Sequence, residues 1–167
     1  MQRFIAEKVE KWFEKDGKTD YWTSATDRLM EVTAVVSDVL NYGDPRNYPS
    51  NTSPLLKEVS DRARRGHLDV LDEVEFLLYS WIEELGSNAI EVTLSRWDKA
   101  NSKHPGRTFN DEIAWDLLVP AYVEELGEIA RAMTYDEKDQ EHLVEELADL
   151  LELSFAWDAR VQGRTLY

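Results

Sequence analysis

The sequence contains no cysteine, which excludes disulfides and thiolate metal sites and makes a reducing, cytoplasmic setting the expected one. Long apolar runs are missing too. No stretch approaches the roughly 18 residues that cross a bilayer, and the opening MQRFIAEKVEKW is amphipathic and charged, unlike a signal peptide. Neither a membrane partner nor a leader is therefore expected. Alternation with strand period does not persist anywhere, so a sheet is not expected either. Histidine is scarce: the chain has three, His67, His104 and His142, and none stands three residues after a glutamate. That pattern excludes the Glu-x-x-His pairs of a di-iron carboxylate bundle.

Basic residues are the other deficit. Lys and Arg number 19 against 34 Asp and Glu, for a formal net charge of −15. Such a surface repels phosphate backbones, so polymeric nucleic acid is not an expected partner. A free nucleoside triphosphate is repelled as well unless cations stand between, so any polyphosphate substrate implies bound metal. Most of the acids are expected simply to solvate the surface.

What is present is apolar residues at helical spacing, in a chain of 167 residues that can bury a core without staples. Residues 2–16 place Phe4, Ile5, Val9, Trp12 and Phe13 on one side, and Asp16-Gly17 ends that helix. Residues 24–41 carry Leu29, Val32, Val36, Val39 and Leu40 on a second helix, followed by the loop NYGDPRNYPSNTSP over 41–54. A short helix over 55–65 stops before Gly66. A separate helix over 68–85 holds Leu71, Val74, Leu78, Trp81 and Leu85 and ends at Gly86. Another runs over 88–101, before the loop NSKHPGRT at 101–108.

Thr108 or Asn110 can cap the next helix, which runs to about Met133. Pro120 inside it predicts a kink or break near Val119, since an interior proline costs about 3 kcal/mol. Thr134 and Glu137 read as a capping box that opens the last helix, to about Arg160. The short turn between these two helices sets them antiparallel and side by side. The predicted fold is all-α, a bundle of four or more helices, with Trp81 and Trp157 in its core.

A weak repeat runs through this pattern. KWFEKDGKTD (11–20) and RWDKANSKHPGRT (96–108) share basic-Trp, then Lys, then Gly-basic-Thr. Trp22 with Met30-Glu31 matches Trp115 with Glu125, and FLLYSW (76–81) resembles ELSFAW (152–157). Two halves, 1–87 and 88–167, packed as an internal pseudo-dimer, are the arrangement this suggests. Only the second half keeps the carboxylates described next, because Ala34 stands opposite Glu128.

VEELGEIARAM (123–133) places Glu124, Glu125 and Glu128 on one side of a helix. Like charges at that spacing repel, and a divalent ion would offset them. In EELADLLEL (145–153), Glu146 and Asp149 are one turn apart. On a helical wheel Glu146 falls among Leu143, Leu150, Leu153 and Trp157, the face that meets the core, and Asp149 lies at its edge. Glu141, Glu145 and Glu152 fall on the opposite side, expected to face solvent. An unpaired carboxylate on a core face costs several kcal/mol or takes up a proton. Oxygen ligands from two helices suit Mg²⁺, or Mn²⁺, better than zinc.

Glu-Glu-x-x-Glu followed by Glu-x-x-Asp resembles the signature of the MazG-like all-α nucleoside triphosphate pyrophosphohydrolases. The likeness covers about residues 95–160, and RWDKANSKHPGRT is similar to the basic, Trp-containing lead-in of some members. The resemblance implies cleavage of a (deoxy)nucleoside triphosphate, canonical or non-canonical, to the monophosphate and pyrophosphate. It implies that Glu125, Glu128, Glu146 and Asp149 hold Mg²⁺, with Glu124 orienting or deprotonating the attacking water. Lys99, Lys103, Arg107 and Arg131 are the candidates to grip phosphates, and Asn101 to contact the base. It further implies a homo-dimer or higher oligomer, unless the two halves already form the pair internally. Two other readings stand beside it. One is a catalytically silent acidic module of the same fold, for interaction or regulation. The other is a phosphoribosyl-ATP pyrophosphohydrolase.

Overall fold

A computed structural model describes residues 1–14, 24–42, 53–103, 112–135 and 139–164. The described residues form six α-helices and no strand: α1 (Gln2–Glu14), α2 (Ala25–Tyr42), α3 (Pro54–Glu84), α4 (Ala89–Lys103), α5 (Glu112–Tyr135) and α6 (Gln140–Val161). The all-α bundle predicted from periodicity is the fold observed. Among the described residues no helix is long and apolar enough to cross a membrane.

One continuous core joins all six helices, and α6 runs through it. It packs against α3, α4 and α5, while α2 lies on α3. Aromatic rings tie α1 to the same core. Phe4 meets Phe155 edge-on at 6.0 Å, and Trp12 packs against Phe76, Tyr79 and Phe155. Trp81 and Trp157 are both buried, as the wheel places them. Helices α5 and α6 run antiparallel, with the Tyr122 hydroxyl 2.7 Å from that of Ser154, which itself donates to Leu150 O.

Three boundaries differ from the periodic reading, each for a physical reason. The helix expected over 55–65 and the one over 68–85 are a single helix, α3, opened by the Ser53 hydroxyl accepting from the Leu56 amide at 3.2 Å. Gly66 does not stop it. A side chain there would collide with the Tyr42 hydroxyl, whose ring stacks on His67 with centroids 4.9 Å apart. Close approach, rather than termination, is what glycine serves at this position.

Pro120 does not break α5, which runs through it uninterrupted. The proline itself is exposed, so its ring is not driven into a neighbouring helix. The capping box at Thr134 is likewise not used. Thr134 is inside α5, its hydroxyl donating to Ala130 O at 2.7 Å. The cap of α6 is Asp139, whose carboxylate accepts from the His142 amide at 3.0 Å. Glu137, and the proposed cap residues Thr108 and Asn110, lie outside the described residues. Gly86 ends α3 as expected, at φ +82°, with its amide on Glu83 O and that of Ser87 on Ile82 O.

Candidate metal centre

Where α5 and α6 cross, Glu125, Glu128 and Glu146 each bring a carboxylate oxygen within 4.8 Å of the other two. The antiparallel packing creates this meeting: the fourth and fifth turns of α5 face the second turn of α6. Glu146 is 6% exposed, as its place on the apolar side of the wheel requires. Glu125 and Glu128 are half-buried. At an effective dielectric constant near 20, two ionised groups this close repel by about 3.5 kcal/mol or more. A fold stable by some 5–15 kcal/mol cannot ignore several such pairs. Protons or cations must neutralise the cluster.

The acid–base properties follow. Burial, and after it the charges of Asp149 and Glu128, push the Glu125 carboxyl up to about 8. Glu146 is raised to about 7 by burial and then by its hydrogen bond and charge repulsion with Glu128. One oxygen each of Glu125 and Glu146 is buried with no hydrogen-bond donor among the described residues. The imidazole Nδ1 of half-exposed His142 lies 3.2 Å from the other oxygen of Glu146. Carboxylate oxygens from two helices converge here, and two of these residues have a buried oxygen without a described donor, a set whose chemistry fits a hard divalent cation.

Two further carboxylates behave differently from expectation. Glu152, expected to face solvent, is 4% exposed and raised to about 8 by burial, then by Asp149 and Glu125. Glu145, expected on the same solvent side, is half-buried and ion-paired. The wheel reading assumed that α6 has one core face. Because α3, α4 and α5 all pack on it, nearly the whole circumference of its second half is enclosed. Glu141 alone of the three is exposed.

Asp149 is half-buried beside the three-glutamate cluster and is held by a partner that the sequence reading did not foresee. Arg96 of α4 donates from Nε to Asp149 Oδ1 at 2.6 Å, and its Nη2 pairs with Oδ2. Its Nη1 reaches Glu145 Oε2 at 2.8 Å. These bonds, chiefly those to Asp149, raise the Arg96 guanidinium further above its ordinary value. The expectation that only glutamates face α6 here considered α5 and overlooked α4. A signal was available: Arg96, Lys99 and Lys103 recur at i, i+3 and i+7, which aligns them along one face of α4. Arg96 and Glu145 also line a cleft of about 620 Å³ between the starts of α4 and α6, with Leu85, Val92 and Val144 among its walls.

Of the remaining candidates, Glu124 is exposed next to Glu125 and adds to the negative field there. Lys99, Lys103 and Arg131 are exposed and Asn101 is half-buried; Arg107 lies outside the described residues. No protein-family model, curated protein or solved structure matches the chain. The likeness to MazG-like enzymes therefore rests on the motif residues alone.

A second buried ionic cluster joins α1, α3 and α6. Lys8 Nζ lies 3.1 Å from Asp72 and 2.9 Å from Glu75, and pairs with Asp158. Asp72 also accepts from Lys11 at 2.9 Å and from the Trp12 indole at 3.0 Å. Burial works to lower the Lys8 pKa, but Glu75 and Asp158 outweigh it and hold the ammonium charged. Burial opposes ionisation of Asp72 too, yet Lys8, Lys11 and Trp12 bring it down to about 2. Glu75 is pushed well up, by burial first and then by Asp158. Sequence reading missed this cluster because Lys8 on a half-charged helix looks like an ordinary surface base.

Proposed function

We propose that the chain is a Mg²⁺- or Mn²⁺-dependent nucleotide pyrophosphohydrolase, cleaving a (deoxy)nucleoside triphosphate to the monophosphate and pyrophosphate. The observation that carries this reading is the convergence of Glu125, Glu128 and Glu146, with buried oxygens that no described donor satisfies. Glu125, Glu128 and Glu146 would hold the ion, with Asp149 the fourth ligand. A divalent cation there supplies neutralisation of charge developing on phosphate oxygens and acidifies water for attack at phosphorus. Glu124, exposed next to Glu125, is available to position or deprotonate that water. Lys99 and Lys103, exposed on the face of α4 that begins at Arg96, offer positive charge in an otherwise acidic surface.

Two correspondences support the division into halves 1–87 and 88–167. In each, the basic residue of a basic-Trp dipeptide holds an acid of a later helix, Lys11 on Asp72 and Arg96 on Asp149, one position apart in the register of FLLYSW on ELSFAW. The pairing helices also match, α2 on α3 and α5 on α6. An internal pseudo-dimer of this kind brings both halves into one core. Val119 and Val123, one turn apart on α5, nevertheless remain exposed, as does Leu117, apolar surface suited to a second copy.

The test is pyrophosphate release from a panel of canonical and modified nucleoside triphosphates and phosphoribosyl-ATP, with and without Mg²⁺ or Mn²⁺. Metal-dependent release is expected, and the ranking names the substrate. Absence of release throughout the panel contradicts the reading. A second reading is a silent acidic helical module, which the grip of Arg96 on Asp149 favours, since it neutralises one proposed ligand internally. Indifference of stability to Mg²⁺ and to Glu128→Gln would select it.

A further inference from the structure

Arg96 occupies an unusual position. Its side chain is 15% exposed, it holds both oxygens of Asp149, and a third bond anchors it to Glu145. Asp149 faces Glu125, Glu146 and Glu152 electrostatically, so it stands between a guanidinium and a cluster of acids. A carboxylate that gives both oxygens to arginine has little left for a cation. Whatever divalent ion the cluster takes must compete with Arg96 for Asp149.

We propose that Arg96 is a displaceable counter-ion: the divalent cation takes Asp149 from it, and the released guanidinium grips a phosphate group of the substrate. The inference rests on the metal-site reading above. Three observations carry it. The guanidinium already satisfies Asp149 in the bidentate geometry that also suits phosphate oxygens. It borders the 620 Å³ cleft, so it has open space to turn into while Glu145 keeps its other edge. It heads the stripe of Lys99 and Lys103, exposed cations on the same face of α4. Metal and substrate binding are then linked through one side chain. The ion frees the phosphate ligand, and the phosphate keeps Arg96 from returning to Asp149.

The test compares the full-length wild-type chain with Arg96→Gln and Arg96→Lys by calorimetric titration with Mn²⁺, and then with inorganic pyrophosphate at saturating Mn²⁺. A competing side chain weakens apparent affinity by the fraction of time it holds the ligand, so Mn²⁺ should bind about tenfold more tightly to Arg96→Gln. Arg96→Lys separates displacement from bulk charge. Lysine keeps the positive charge but cannot grip both oxygens of Asp149, so Mn²⁺ should tighten there too, by a smaller factor. Pyrophosphate should move the opposite way, binding about tenfold more weakly to Arg96→Gln. Far-UV circular dichroism checks that the helices persist, and Arg96→Lys alone decides the Mn²⁺ question if the glutamine variant does not fold.

Unchanged or weaker Mn²⁺ binding in both variants overturns the inference and makes Arg96 a brace that positions Asp149. Tightening in Arg96→Gln but not in Arg96→Lys also overturns it, leaving only charge repulsion. If the wild-type chain itself binds no Mn²⁺, the metal-site reading fails, and this inference with it.

Discussion

Near the end of α6, Asp158 shares the Lys8 ammonium with Asp72 and Glu75, and Lys11 and Trp12 reach the same group. Near its start, Glu146, Asp149 and Glu152 meet Glu125 and Glu128, and the described cations there are Arg96 and, when protonated, His142. Both clusters bury carboxylates, yet their charges close differently. In the first, Lys8 pairs with Asp72, Glu75 and Asp158, and Lys11 adds a second cation at Asp72. In the second, Arg96 answers Asp149 and Glu145, and three further carboxylates keep pKa values of about 7 to 8. In the first cluster every acid has a lysine partner, and the pairs tie three helices together. The second has more carboxylates than cations and holds protons at neutral pH, and those protons are what a cation from solution would displace.

The widest gap between the two clusters should appear in activity. Glu128→Gln, or Asp149→Asn, is expected to reduce pyrophosphate release by more than about 100-fold, beyond the usual loss for an outer-shell partner of a metal. Helix content should stay unchanged. Retained turnover in either variant would break the assignment of this cluster as the site.

Stability should respond most at the other cluster. Lys8→Met leaves Asp72, Glu75 and Asp158 without their shared cation and is expected to cost about 3–5 kcal/mol in urea unfolding. A loss under about 1 kcal/mol would mean that the α1 cluster is not the cement described.

Asp72 and the raised acids of the second cluster have opposite pH signatures, while Glu75 of the first cluster is raised as the latter are. Glu125, Glu146 and Glu152 have folded pKa values above the ordinary carboxylate value, so they bind protons more tightly folded than unfolded. Their contribution to stability is complete below the unfolded pKa of about 4.3 and is lost as pH rises through 7 to 8. Asp72, at about 2, does the reverse: its contribution holds above about 4 and is lost as pH falls through 2. Thermal melts in EDTA should therefore show the midpoint falling between pH 5.5 and 8.5. Mn²⁺ should flatten that slope, with proton release on binding. A midpoint that rises over this range would contradict the raised acids.

The smallest effect sharpens the same point. Glu152→Gln removes one acid from the second cluster without touching a proposed ligand, and about 1 kcal/mol of stabilisation at pH 8 is expected. That corresponds to a shift of about 2–4 °C for a domain this size.

Much of this was legible before the structure. Period and composition place the all-α bundle, and the wheel places Glu146 on a buried face among Leu143, Leu150 and Trp157. The meeting of Glu125 and Glu128 with Glu146 follows from a short connection between antiparallel helices. What local sequence cannot show is how many neighbours a helix has. Glu152 is misread as solvated because a wheel assigns one inner face, whereas α6 is enclosed by three helices. Lys8 and Arg96 are misread or missed for the same reason, since their partners lie 64 and 53 residues away. Local rules also overstate punctuation. Gly66 and Pro120 both lie inside continuous helices, one admitting the Tyr42 hydroxyl and the other exposed.

The central claim is that the α5–α6 cluster takes a divalent ion from solution, and thermal unfolding with and without Mn²⁺ tests it directly. For the wild-type chain at pH 7.5, Mn²⁺ at a hundredfold excess over its Kd should add about 2.7 kcal/mol. The expected rise is about 5–10 °C, and it should vanish in the Glu128→Gln, Glu146→Gln double variant. A wild-type midpoint that ignores Mn²⁺, or a double variant that responds equally, would contradict the claim.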